Sequence, residues 1–205
     1  MSPTFSATDA LIRDYESKAL FWFRWATSLI EYVFTFLLLV SFTIPGGCLD
    51  HALAIEFAGE ANRLALLDIQ KKPLDDLKHS LQQIYGKEHS RIYTYRCDLR
   101  DLNALKYTIT AICEELTDNI SVLVNCAATA HFKDILSHTD DEYQYRLIVN
   151  TLAPILITED LLRGMITRNH GQIVNILSNE ALTEDAFGSS YPSSKEALFS
   201  DFLLS

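Results

Sequence analysis

A chain of 205 residues, 48% of them hydrophobic, can bury one sizeable core and is too short for two ordinary domains. Its 17 basic against 27 acidic side chains give a formal charge of −10, which lacks the basic footprint of a nucleic-acid binder. Cys48, Cys97, Cys113 and Cys126 form no C-x-x-C pair and have no histidines at zinc-ligand spacing, so they read as reduced, packed thiols and no metal is expected.

Between Leu20 and Leu49 only Arg24 and Glu31 carry charge. Pro45-Gly46-Gly47 interrupts the apolar run from Tyr32 before it reaches the about 20 residues that a spanning helix needs. Phe21, Trp22, Phe23 and Trp25 beside Arg24 suit a membrane surface, and they also suit a core or partner-binding helix face. Residues 1–35 are therefore expected to form a separate amphiphilic segment. Asp9, Arg13, Asp14 and Glu16 precede the apolar part, the wrong order for a cleavable signal peptide.

From residue 36 to 205 short apolar runs alternate with helix-period segments, the pattern of stacked βαβ units around a doubly wound parallel sheet in one α/β domain. Strands are predicted at Phe36–Phe42, Arg63–Leu67, Arg91–Tyr95, Val122–Asn125 and Gln172–Leu177, and helices at His51–Gly59, Pro73–Tyr85, Leu102–Thr117 and Asp141–Thr167. Leu74, Leu77, Leu81 and Ile84 stripe the second helix, with Pro73 near its start and Gly86 past its end. Leu102, Leu105, Ile109, Ile112 and Leu116 repeat that stripe before Asp118-Asn119 closes the third. A last helix begins near Ser189 or Ser190, where Pro192 is tolerable because it falls in the first turn. His131, His138 and His170 fall in predicted loops or helix ends, where solvated histidine is the default.

The segment from Ser178 to Lys195 carries the clearest chemistry. Tyr191 and Lys195, at i and i+4, share one helix face. An ammonium there favours the ionised phenol, whose ordinary pKa of about 10 is too high for a base near neutrality. Ser178, 13 residues before Tyr191 at the end of a predicted strand, would hold a substrate oxygen.

Five segments in order resemble the short-chain dehydrogenase/reductase family, from about Thr43 to the last residue. LVNCAATA (Leu123–Ala130) resembles the family's N-N-A-G strand end, with Asn125, Cys126, Ala127 and Ala128 in its four places. VNTLAP supplies Asn150, QIVNILS supplies Ser178, and YPSSK supplies Tyr191 and Lys195; CDLRD and ALLDI contribute Asp98 and Asp68. The resemblance implies a Rossmann-type fold and an NAD(P)-dependent oxidoreductase interconverting an alcohol and its carbonyl. Tyr191 would be the acid or base, Lys195 would lower its pKa and hold the nicotinamide ribose, and Ser178 would fix the carbonyl. Asn150 would hold a water extending the proton path. Thr43, Gly46, Gly47, Asp68, Asp98, Asn125, Ala127, Tyr191 and Lys195 would line the cofactor. Asp68 would accept from the ribose hydroxyls and disfavour a 2′-phosphate, which argues for NAD over NADP.

The apolar content, the amino terminus and the stretch ITRNHGQIV are similar to the membrane-associated members that oxidise retinol or hydroxysteroids. That likeness implies a small lipophilic alcohol or ketone substrate. It also implies the cytosolic face of the endoplasmic reticulum or a lipid droplet, with a cytoplasmic location as the alternative. The chain departs from the family where T-G-x-x-x-G-x-G is expected: from Thr43 to Asp50 the three glycine places hold Ile44, Cys48 and Asp50. It also stops at Ser205, where family members continue with two further strands. The last strand is then an apolar edge that a homo- or hetero-oligomeric partner would cover. The second reading is accordingly a catalytically inactive relative or partial product that acts as a binding partner.

Overall fold

Apolar runs between the helix-period segments form five strands in the computed structural model: β1 (Thr35–Leu39), β2 (Arg63–Asp68), β3 (Arg91–Arg96), β4 (Val122–Asn125) and β5 (Gln172–Asn175). The structure describes residues 35–39, 48–61, 63–86, 91–116, 120–130, 135–179 and 190–203, all in one compact unit running from Phe34 to Ser205. The amino-terminal segment with its aromatic cluster, Thr43, Ile44, Gly46, Gly47, Asp118-Asn119 and His131 lie outside the described residues.

All strand pairs are parallel, in the order β3-β2-β1-β4-β5. The chain winds outward from β1 to β3 and then crosses back to place β4 on the other side of β1. That reversal is a topological switch point, and ligands of open α/β sheets bind beyond the carboxyl ends of the strands at such a place. Register sets those ends level: Leu39 pairs with Asn125, and Asn125 with Asn175.

Among the described residues six α-helices cover the sheet: α1 (Cys48–Glu60), α2 (Lys71–Tyr85), α3 (Leu102–Glu115), α4 (Asp140–Leu147), α5 (Ala153–Arg168) and α6 (Ser190–Leu203). Leu64 to Asp68 of β2 are all buried, as expected of a parallel strand covered on both faces. Ala65 and Leu67 join one core cluster with Leu105, Ile109 and Ile112 of α3 and Ile157, Leu161 and Met165 of α5. Leu64 and Leu66 alternate to the opposite face, the side on which α1 and α2 pack against β2 and each other. Each such fully buried leucine contributes about 2 kcal/mol.

Local signals fix the helix ends. Asp101 caps α3 by accepting from the Asn103 and Ala104 N–H groups at 3.1 and 2.9 Å, an arrangement worth about 1 kcal/mol. Thr139 and Glu142 form a reciprocal capping box on α4. Asn169 ends α5 in the left-handed region at φ 50°, a conformation that asparagine tolerates better than most residues.

The helix predicted over Asp141–Thr167 is three pieces rather than one. Between α4 and α5 runs a π turn, Ile148–Leu152. Pro154 supplies the reason: it has no N–H for the Asn150 carbonyl four residues back, and its ring crowds that carbonyl, so the chain widens by one residue there. Several boundaries also move: α1 begins at Cys48 rather than His51, α2 at Lys71 rather than Pro73, α3 ends at Glu115 rather than Thr117, and β5 ends at Asn175 rather than Leu177. Among the described residues no helix is long and apolar enough to cross a membrane.

Candidate active site

The site residues gather where β4 and β5 end and α6 begins. Lys195, one turn into α6, is only 2% exposed, and its Nζ donates to the Ile176 carbonyl at 2.8 Å. Ile176 in turn donates its N–H to the Asn125 carbonyl at 2.9 Å, so Lys195 ties α6 to the strand end that leads, two residues on, to Ser178. Burial pushes the Lys195 ammonium down to about pKa 8, with the nearby Cys126 acting in the opposite sense. Tyr191 lies half-buried in the first turn of α6, and Ser178 is half-buried beyond β5.

Asn150 sits fully buried in the π turn. Its Oδ1 accepts from the Thr129 N–H at 2.8 Å, and its Nδ2 donates to the Thr129 carbonyl and to Ser194 Oγ, both at 3.0 Å. The side chain is thus spent on joining the segment after β4 to α6.

Asp68 is buried at the end of β2, where its Oδ1 accepts from the Gln70 N–H. Asp98, beyond β3, is held differently. Arg100 Nε donates to both of its oxygens at 3.0 and 2.9 Å, and the same guanidinium lies 5.1 Å from the centroid of the Tyr145 ring. That hydrogen-bonded guanidinium keeps the Asp98 carboxyl below the usual carboxylate range. Asn125 braces the sheet instead of facing outward, since its Nδ2 donates to Asn175 Oδ1 at 2.7 Å and to Thr158 Oγ1 at 3.3 Å. Ala127 is buried just beyond β4, and Cys97, Cys113 and Cys126 form no disulfide among the described residues.

His138 departs from its sequence reading. It is not solvated: its side chain is 3% exposed, packed where Ser190 Oγ meets its Nε2 at 3.2 Å and Glu142 Oε2 lies 3.9 Å from its Nδ1. Sequence reasoning also passed over Arg146, Ser190 and Ser194. A signal for Arg146 was present: it stands four residues before Asn150, so a charge lies on the buried face of its helix.

Residues 44–201 match the profile of the short chain dehydrogenase family. The chain belongs to the short-chain dehydrogenase family. An uncharacterized oxidoreductase of Saccharomyces cerevisiae is 30% identical over 157 residues, 76% of this chain and 48% of that protein. Human 17-beta-hydroxysteroid dehydrogenase 13 is 29% identical over 68% of this chain and 45% of its own length, and Danio rerio retinol dehydrogenase 10-B is 27% identical over 75% and 50%. The chain thus spans about half the length of these curated relatives. A metagenomic short-chain oxidoreductase in complex with NADP superposes with a TM-score of 0.73 at 22% identity, covering 82% of this chain and 73% of that one. NAD+-bound xylitol dehydrogenase gives 0.71 at 24% identity, over 83% and 63%. These likenesses fit the doubly wound parallel sheet of this short-chain dehydrogenase.

Proposed function

We propose that this short-chain dehydrogenase oxidises a primary or secondary lipophilic alcohol, of the retinoid or steroid kind, or reduces the corresponding carbonyl, with NAD in preference to NADP. The observation that carries the reading is a buried Lys195 one helical turn after a half-buried Tyr191, with its ammonium pinned at the ends of β4 and β5. Tyr191 takes or gives the proton at the alcohol oxygen. Lys195 favours the phenolate and hydrogen-bonds a ribose, and a buried ammonium with a single carbonyl acceptor retains donors for that purpose. Ser178 holds the carbonyl oxygen, and the Asn150 carbonyl holds a water that passes the proton toward Lys195.

The described residues fit a nicotinamide dinucleotide. Asp68 is a buried carboxylate at the end of β2, suited to ribose hydroxyls and repelling a 2′-phosphate, and Asp98 and Ala127 flank the same sheet edge. When bound, the nicotinamide supplies the acceptor or donor of the hydride. Names of relatives support the substrate class, because a hydroxysteroid and a retinol dehydrogenase are among them.

Titration with NADH, followed by fluorescence, tests the reading, together with turnover on retinol and steroid alcohols. The chain is expected to bind NADH below millimolar concentration. Tyr191→Phe should keep that binding and lose at least about 100-fold in kcat, the low end for a positioned acid–base group. Absence of binding at millimolar NADH overturns the proposal.

A further inference from the structure

We propose that Arg146 is a positioning residue for the catalytic helix: with His138 it fixes Ser190, so that Tyr191 is held in a first turn that would otherwise fray. This inference rests on the role given to Tyr191 under the proposed function, while its structural half stands by itself.

The starting point is a weakness of the site. Tyr191 is the second residue of α6. The first turn of a helix has no intrahelical acceptors for its N–H groups and is where helices open most easily. Pro192 follows directly, which fixes one φ but adds no hydrogen bond. A tyrosine in that turn must nevertheless keep its phenol in place.

Two sets of contacts bracket it. On the carboxyl-terminal side Ser194 Oγ accepts from Asn150 Nδ2 at 3.0 Å and donates to the Tyr191 carbonyl at 2.7 Å, while Thr151 Oγ1 donates to the Ser194 carbonyl at 2.8 Å. On the amino-terminal side Ser190 carries two side-chain contacts. Its Oγ accepts from Arg146 Nη1 and lies 3.2 Å from His138 Nε2, while Glu142 Oε2 lies 3.9 Å from the His138 Nδ1.

Arg146 is a costly way to fill this space. It is 1% exposed, the largest fully buried side chain described, and its Nε has no hydrogen-bond partner. Among the described residues it makes no salt bridge. A buried cation whose charge support comes from Glu142, one turn back and not in ion-pair contact, is destabilising relative to an apolar side chain of similar volume. What the guanidinium provides that methionine would not is a rigid, directed donor, aimed at the residue before the catalytic tyrosine. His138 also keeps a buried Nδ1 without a hydrogen bond, so both groups are held by Ser190 more than they are satisfied elsewhere.

The test compares the full chain with Arg146→Met and Arg146→Lys. Amide hydrogen exchange is read at Lys195 and Glu196, whose helical acceptors are the Tyr191 and Pro192 carbonyls. Arg146→Met is expected to speed exchange at these two amides at least tenfold while β2 and α2 stay unchanged. It should lower kcat at least tenfold with KM for NADH little altered, and Arg146→Lys should recover part of both. Unchanged exchange at Lys195 and Glu196 overturns the proposal, as does acceleration spread evenly over the molecule, because either makes Arg146 ordinary packing. Should Arg146→Met fail to fold, Ser190→Ala removes the same anchor at the other end and must give the same local exchange pattern. If the wild-type chain neither binds NADH nor turns over while the exchange pattern appears, the functional reading fails and the anchor stands.

Discussion

Replacing Lys195 with methionine separates what the residue does for chemistry from what it does for stability. In the folded chain the ammonium is 2% exposed and its pKa falls from the ordinary 10.5 to about 8 because burial disfavours the charge. At about 1.4 kcal/mol per pH unit, that gap places a penalty of about 3 kcal/mol on the folded state at pH 7. The hydrogen bond to the Ile176 carbonyl offsets about 1 kcal/mol of it. Lys195→Met, of similar volume, should therefore unfold at higher urea, with a gain of about 2 kcal/mol at pH 7. The sign with pH follows from which state holds the proton. Between pH 8 and 10.5 the unfolded chain keeps a proton that the folded chain has shed, so wild-type stability rises through that window and the gain of the variant shrinks toward zero. Urea denaturation of both proteins at pH 7 and pH 9.5 measures this, and titrations shared by the two cancel in the difference. Turnover should vanish in the variant. A variant less stable than wild type at both pH values would show that Lys195 is an ordinary structural residue and refute the reasoning.

Two further outcomes are expected. Asn150→Ala strands the Thr129 N–H and carbonyl in a buried site and should cost about 2–6 kcal/mol in urea denaturation, at about 1–3 kcal/mol for each unsatisfied group. Flotation with liposomes should require residues 1–31 if the amino terminus binds a membrane surface; a chain that floats equally well without them, or not at all, removes that reading.

Most of the fold was legible because parallel βαβ units write themselves as short apolar runs and 3.6-residue stripes. Of Leu74, Leu77, Leu81 and Ile84, read as one helical face, α2 buries the first three, while Ile84 is 58% exposed at its end. Asn150, Tyr191 and Lys195, chosen from the family resemblance, are brought to one end of the sheet. What could not be read was pairing across the chain. Asn150 meets Thr129 and Ser194, Lys195 meets Ile176, and Ser190 meets both Arg146 and His138. Such partners are set by tertiary placement, which leaves no period in the sequence. His138 was misjudged for that reason: its immediate neighbours in the chain are polar, and the Ser190 hydroxyl that meets its Nε2 lies 52 positions away. The π turn was foreshadowed only by Pro154, and a proline inside a helical stripe announces a disturbance without saying which kind.

That turn has a consequence for how the chain tolerates changes in length. A π turn takes up one residue more than an α turn, so Ile148–Leu152 holds what amounts to a one-residue insertion while α4 and α5 keep the faces they bury. Elsewhere in α5 the loss of one residue would rotate everything beyond it by about 100° and turn Ile157, Leu161 and Met165 away from the sheet. Within the turn, the same loss would leave both packed faces where they are, with Pro154 then crowding an α-helical carbonyl. The residue displaced would be Asn150, whose amide joins the segment after β4 to α6. The place where the scaffold can most easily be shortened is therefore the place where the site can least bear it.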